Sequence, residues 1–244
     1  MKSRADWVRK NLYYYDDLKQ FYRFHSERKK KILEIGLGTG FLLRACEAKQ
    51  GFGLELNNNF LAESREMYPE FKYEVWSGSR DLPQSLLEAF PEGVDYIFLV
   101  NALGIVENIQ ETLEYLRPIC RPHTRIISNY INFLWAPVFA IAEILQLKMS
   151  QPRKNWLAMA DIKNILQISG YREIKVGHRF LWPKDLGFIS DFLNRFLVRI
   201  SPFQWLGCTQ FFIARKEKNW ARKHFLKQFV ELLFIRQILF GWNT

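Results

Sequence analysis

Residues 31–57 read KILEIGLGTGFLLRACEAKQGFGLELN. Ile32, Leu33 and Ile35 form an apolar run broken only by Glu34, which suits a buried parallel strand ahead of a turn. Gly36, Gly38 and Gly40 then permit positive φ and close approach of the backbone to a ligand, and residues 41–48 have the composition of a helix starting just beyond them. A second short strand over 51–56 ends on Glu55 and Leu56. Strand, glycine loop, helix, strand and acid in this order predict a βαβ unit for an adenosine-containing ligand, with Glu55 placed to accept from ribose hydroxyls.

Two cofactor classes use such a unit, and spacing separates them. A dinucleotide fold wants GxGxxG, whose third small residue lets the helix start pack beneath the pyrophosphate. Here Phe41 stands at that position, which argues against an NAD enzyme, and no GxxxxGK[ST] cradle occurs. What stands instead is GxGxG with Glu34 two residues ahead of it, and this resembles motif I of the class I S-adenosylmethionine (SAM) methyltransferases. The resemblance implies a Rossmann-like α/β fold with a seven-stranded sheet and helices on both faces. It implies SAM as cofactor, a loop of Gly36, Gly38 and Gly40 beneath its methionine and ribose parts, Glu34 toward the amino end, and Glu55 with Leu56 at the ribose.

The charge and composition bound the rest. Of 244 residues, 48% are hydrophobic and 25% charged, ordinary for one α/β domain, while 21 Phe and 8 Trp call for an aromatic core or an apolar surface with a partner. Residues 1–31 carry ten basic against four acidic residues and 216–244 six against two, so the two ends hold the whole net charge of +10. An anionic membrane surface attracts basic termini interleaved with aromatics, whereas a nucleic-acid enzyme would carry basic residues along its cleft; no nucleic-acid substrate is expected. Solvated charged ends that aid solubility are the plain alternative. Cys46, Cys120 and Cys208 are far apart, which suggests neither disulfides nor a metal knuckle and fits a cytoplasmic location. No signal peptide and no membrane span is read, leaving peripheral attachment to the inner membrane face as the expectation.

Along the chain, residues 5–25 place Trp7, Tyr14, Leu18, Phe21 and Tyr22 near helical spacing, a cap over the first strand in which Tyr13, Tyr14 and Tyr15 serve either as a lid or as packing. A helix over 57–68 stops at Pro69, and 71–76 alternates as a strand. In the loop 77–83 many relatives place an acid for the adenine amino group, but the aligned position is Gly78; the backbone of Ser79, or Asp81 after a swing of the loop, is the remaining candidate. A continuous apolar strand over 94–100 leads into Asn101, and strand carboxyl ends are where ligands gather. After a helix over 109–116, whose Glu111 and Glu114 share a solvated face, a fifth strand over 124–131 brings Asn129 and Tyr130 beside Asn101. These three are the residues expected to orient the methyl acceptor, with Glu107 and His123 as weaker alternatives; hydrogen bonding that secures the strand end is the rival role for Asn129 and Tyr130. Acidic residues that a metal-dependent relative needs after these strands are missing, so no metal is expected.

Residues 133–149 are almost wholly apolar yet interrupted by Pro137, Glu143, Gln146 and Lys148, too short to span. A helix capped by Asp161 ends at Gly170; strands over 171–181, with Ile174, Val176, His178 and Phe180 on one face, and 209–214 complete the sheet. Between the last two strands Leu186, Ile189, Phe192, Leu193, Phe196, Leu197 and Ile200 make an amphipathic stripe that serves either the core or a docking surface, and residues 224–242 make a second. Tyr14 to Phe24, Asn129 to Val138 and Asn155 to Arg172 are similar to one methyltransferase subgroup whose members accompany glycosyltransferases of the dolichol-phosphate-sugar-synthase type. The reading is a helical cap over 1–30, a methyltransferase domain over 31–215 and a basic amphipathic helix over 216–244. The acceptor is expected to be a small molecule or lipid-linked saccharide methylated at an oxygen, with a glycosyltransferase as partner. A catalytically inactive SAM-binding scaffold at the membrane or on that partner is the alternative.

Overall fold

The structure is a computed structural model that describes residues 4–36, 40–147, 155 and 157–218. Gly38 and the expected C-terminal amphipathic helix lie outside the described residues. Seven strands, β1 (Lys31–Gly36), β2 (Gln50–Glu55), β3 (Lys72–Val75), β4 (Val94–Val100), β5 (Cys120–Ile131), β6 (Tyr171–Arg179) and β7 (Thr209–Lys216), form one sheet. Their order is β3-β2-β1-β4-β5-β7-β6. The pairs among β1 to β5 are parallel, while β7 runs antiparallel to both β5 and β6. The nine helices among the described residues are α1 (Arg4–Lys10), α2 (Leu12–His25), α3 (Phe41–Ala45), α4 (Leu61–Met67), α5 (Gln84–Ala89), α6 (Ile109–Leu116), α7 (Ala136–Ile144), α8 (Met159–Ile168) and α9 (Phe188–Arg195).

Helices cover both faces of the sheet, so its central strands read as unbroken apolar runs rather than alternations. On one face Leu86 of α5, Leu113 and Leu116 of α6, and Ile162 and Leu166 of α8 pack on Leu33, Ile35, Ile97, Leu99, Ile126 and Phe212. On the other, Leu18, Phe21 and Tyr22 of α2 and Leu42 and Leu43 of α3 pack on Ile32, Phe98, Val100, Ile127, Phe211 and Ile213. Each such aliphatic or aromatic side chain contributes about 1.5–3 kcal/mol on full burial. Helix α6 starts where Asn108 Oδ1 accepts from Glu111 N at 3.2 Å. Asp161 acts from inside α8, its Oδ2 accepting from Ala158 N at 2.9 Å.

Three expectations need correction. The N-terminal helix is two helices, separated at Asn11, which folds back through Asn11 N to Val8 O at 3.0 Å. A bulge between Glu173 and Lys175 leaves Ile174 as the extra residue, half exposed, so it does not share a face with Val176 and His178. The stripe over 186–200 is not one helix: α9 ends at Arg195, and short 3₁₀ turns follow at Leu197–Arg199 and Phe203–Leu206. Nor is that stripe core; Phe188 is 83% exposed, and Leu186, Ile189, Phe192, Phe196 and Ile200 are exposed with it.

Helix α2 ends on His25, whose ring lies 4.8 Å from that of Phe21. Burial, with Lys175, Arg179 and Arg125 nearby, pushes its pKa down to about 4. The folded state therefore binds fewer protons than the unfolded chain between about pH 6.5 and 4, so stability from this site is full above that window and falls as pH drops through it. Thermal melts between pH 7 and 4.5 are expected to show a shallower loss of Tm in His25→Gln than in the wild type.

Candidate active site

The carboxyl ends of β1, β2 and β4 meet at Gly36, Glu55 and Val100, which are partners across neighbouring strands. A Cβ on Gly36 would stand 2.6 Å from Val100 O, so only glycine permits the strands to close here. Gly40 has φ +110° and heads α3 without a side chain to cap it. Glu34 supplies the cap from the strand below: fully buried, its Oε2 accepts from Gly40 N at 3.0 Å and Leu43 N at 3.1 Å. Part of this carboxylate is therefore committed to holding the loop exit. Glu55, also fully buried, accepts from Ser64 Oγ of α4 at 2.6 Å, while Leu56 N donates to Gly36 O at 3.1 Å.

The loop after β3 is fixed by Trp76 Nε1 donating to Arg80 O at 2.8 Å and by Thr112 Oγ1 donating to Gly78 O at 2.8 Å. Gly78 has φ +82°, and a Cβ there would lie 2.8 Å from Thr112 Oγ1 and 3.0 Å from Val106 Cγ1. Contacts with Val106 and with Thr112 of α6 thus leave room only for glycine at this position. Ser79 is partly exposed at the loop tip, its hydroxyl 3.1 Å from that of Ser77.

Asn101 leaves β4 with φ +51°, a left-handed conformation that asparagine tolerates better than most residues. A buried chain of polar groups holds it. Tyr22 Oη donates to Asn129 Oδ1 at 2.8 Å, Asn129 Nδ2 to Asn101 Oδ1 at 2.9 Å, and Asn101 Nδ2 to Tyr14 Oη at 3.2 Å. The sheet thus brings Asn101 and Asn129 together, with both amide ends of Asn129 engaged. Tyr130, the next residue on β5, points to the opposite face, where its hydroxyl lies 3.6 Å from Met159 Sδ and burial raises its pKa. His123 sits at the far end of the sheet against Asp95, 3.3 Å away, and does not belong to this site.

Sequence reasoning set Asn101 and Asn129 side by side, as the structure does, but missed Tyr22 as their anchor, because a tyrosine at a core-facing helical position carries no signal of its hydroxyl partner. The three adjacent tyrosines divide their work. Tyr13 donates to Asp191 at 3.2 Å, Tyr14 reaches Asn101, and the Tyr15 ring packs edge-on to Phe41 at 5.6 Å. Burial raises the pKa of Tyr14, so its phenol stays protonated. Below them Arg179 Nη2 donates to both oxygens of Asp17 at 2.7 and 2.8 Å and lies over the Phe21 ring at 4.5 Å. Near this end Thr209 Oγ1 and Gln210 Oε1 are buried without a hydrogen-bond partner among the described residues. No group of three or more His, Cys, Asp or Glu side chains able to hold a metal occurs among those residues.

Many solved structures share the fold of this chain. A SAM-dependent methyltransferase from Thermotoga maritima superposes with a TM-score of 0.62 at 13% identity, covering 87% of this chain and 94% of its own. One from Mesorhizobium loti gives 0.59 at 17% identity, covering 81% and 96%. One from Clostridium acetobutylicum gives 0.52 at 8% identity, covering 86% and 92%. This is the class I SAM-dependent methyltransferase fold. No protein-family model and no curated protein matches the chain. The residues at the carboxyl ends of β1 and β2 fit the cofactor of that fold: strand ends that glycine alone lets close at Gly36, and a buried carboxylate, Glu55, at the end of β2.

Placing an acid at Gly78 is expected to harm rather than restore the site. Gly78→Asp must adopt positive φ against Val106 and Thr112, at a cost of about 1–3 kcal/mol. Differential scanning calorimetry is expected to show a lower Tm, with no gain in S-adenosylhomocysteine affinity.

Proposed function

We propose that the chain is a SAM-dependent methyltransferase whose acceptor is a lipid-linked saccharide or a related small molecule, methylated at an oxygen. The observation that carries the acceptor class is an apolar surface around the carboxyl ends of β5 and β6. Helix α7 exposes Val138, Ile141 and Ile144, the last at 79%, and α9 exposes Phe188, Ile189 and Phe192. Phe188, Phe192 and Phe196 stack at 6.5 and 6.1 Å, while Trp135, at the start of α7, meets the connection between β6 and β7 through the Trp182 ring at 6.5 Å and a bond to Leu206 O at 2.7 Å. Apolar patches this extensive mark interaction sites. No helix among the described residues is long and apolar enough to cross a membrane, so the surface suits contact in the plane of a bilayer. Arg199, exposed on the same connection, favours anionic lipid.

SAM supplies an electrophilic methyl group. Glu55, with Leu56 beside it, would hold the ribose, the loop from Gly36 to Gly40 would pass beneath the methionine part, and the backbone at Ser79 would meet the adenine. Asn101, fixed by Asn129 and Tyr22, would orient the acceptor oxygen together with the protonated Tyr14. An amide and a neutral phenol align an oxygen but do not take its proton, so a carboxylate of an acidic sugar is the acceptor best served. Docking through α7 and α9 would deliver a lipid-borne head group to Asn101 and exclude water there. A glycosyltransferase that builds or extends the saccharide is the proposed partner.

An inactive SAM-binding scaffold is the second reading, favoured by the glycine at position 78. Calorimetric titration with S-adenosylhomocysteine is expected to give low micromolar binding, about −8 kcal/mol, weakened more than tenfold in Glu55→Ala. Methyl transfer from labelled SAM into an envelope lipid extract is expected; binding without label in any fraction would favour the scaffold, and no binding would end both readings. In flotation with anionic vesicles, the Phe188→Glu, Phe192→Glu double variant is expected to lose at least five-fold of the bound fraction, and an unchanged fraction would remove the docking surface.

A further inference from the structure

At the end of the sheet opposite the candidate active site, three arginines stand in one row across three strands. Arg125 of β5 and Arg172 of β6 are each the direct partner of Arg215 of β7. Side chains on directly opposed residues point to the same face. All three are exposed, and among the described residues none of them makes a hydrogen bond or ion pair. The bulge in β6 adds a fourth cation: by making Ile174 the extra residue it sets Lys175 opposite Ile213, on the face that carries Arg172 and Arg215. The row lines a shallow cavity of about 590 Å³ whose rim is completed by His123, Glu173 and Ile174. The nearby carboxylates are engaged elsewhere, Glu173 with Lys163 at 3.4 Å and Asp95 with His123 at 3.3 Å.

Folding gives no reason for this row. Like charges directly opposed across strands are destabilising, and exposed positions at strand ends accept neutral residues freely. Neighbouring strands lie about 4.8 Å apart, so the outer Cα atoms span roughly 10 Å, and side chains as long as arginine can converge over that distance. Guanidinium groups match phosphate oxygens in bidentate fashion. The methyl donor carries no phosphate, and Arg125 lies four residues before Asn129, which bonds Asn101, about 13 Å along β5. The positive field is also felt by His25, whose depressed pKa owes part of its shift to Lys175 and Arg125.

We propose that Arg125, Arg215 and Arg172 form a second ligand site, separate from the methyl-transfer cleft, that binds a group of diphosphate size. The ligand is either a soluble diphosphate or the diphosphate of a lipid, and the chemistry of recognition is the same.

The test uses the full chain and two probes, inorganic diphosphate and vesicles containing a diphosphate-bearing lipid. Millimolar diphosphate is expected to raise the wild-type Tm and to bind saturably in calorimetry. Arg215→Gln is expected to keep or raise the Tm without ligand, because a like-charge row is relieved, and to lose the ligand-induced shift with at least tenfold weaker binding. Lys72→Gln, the same charge change on β3, is expected to behave as wild type. Loss in Arg215→Gln of diphosphate binding alone identifies a soluble ligand; loss of vesicle binding as well identifies a lipid-borne one. The proposal is overturned if neither probe binds saturably, if binding persists in Arg215→Gln, or if Lys72→Gln loses as much.

Discussion

The two hydrogen bonds that Gly40 and Leu43 donate to Glu34 are the constraint on which the site depends. A carboxylate fully removed from water is tolerated only where donors replace its hydration. Here the donors are the orphan amides at the start of a short helix, so each side satisfies the other. The consequence runs in two directions. Gly40 is held over the strand that carries Glu34, and α3 is aimed so that Leu42 and Leu43 reach the core beside Ile32.

A second buried polar line joins the carboxyl ends of β4 and β5. Tyr22 and Tyr14 of α2 flank Asn129 and Asn101 at the strand ends, so α2 is bonded into the ends of β4 and β5. The line starts and ends on α2, which makes that helix part of the site and not a cover laid over it. The end of β6 and the connection from it to β7 hold the same helix and its N-cap from outside, through Asp17 and Arg179, Tyr13 and Asp191, and Asn11 and Lys184. Isolated, partly exposed ion pairs contribute at most about 1 kcal/mol, so the buried aromatic packing of Phe21 and Tyr22 fixes α2 and the polar contacts set its register. Asn101 then has no freedom to relax its positive φ without breaking bonds on both sides.

The two ends of the sheet differ in character. Around the carboxyl ends of β5 and β6 the surface is aromatic and aliphatic, carried by α7 and α9. At the opposite end it is cationic, carried by Arg125, Arg172 and Arg215. The antiparallel β7 makes this division possible: it lets a long connection return from the carboxyl end of β6, and it sets Arg215 between Arg125 and Arg172.

The sequence by itself determined the first half of the sheet and the class of fold. Apolar runs at 32–35 and 94–100, the glycines from Gly36, and Glu34 and Glu55 in register depend on local rules of period, turn and cap, which a linear reading captures. It also brought Asn101 and Asn129 to neighbouring strand ends, since that follows from strand order. Only the tertiary structure decided which face each side chain took. Tyr130 turns from Asn129 because adjacent strand residues alternate, the bulge takes Ile174 off the face it was expected to share with Val176, and Gly78 is glycine because Val106 and, on α6, Thr112 press on its loop. The partner of a buried hydroxyl such as that of Tyr22 and the alignment of three distant arginines are properties of long-range register, for which no local pattern in the chain provides a signal.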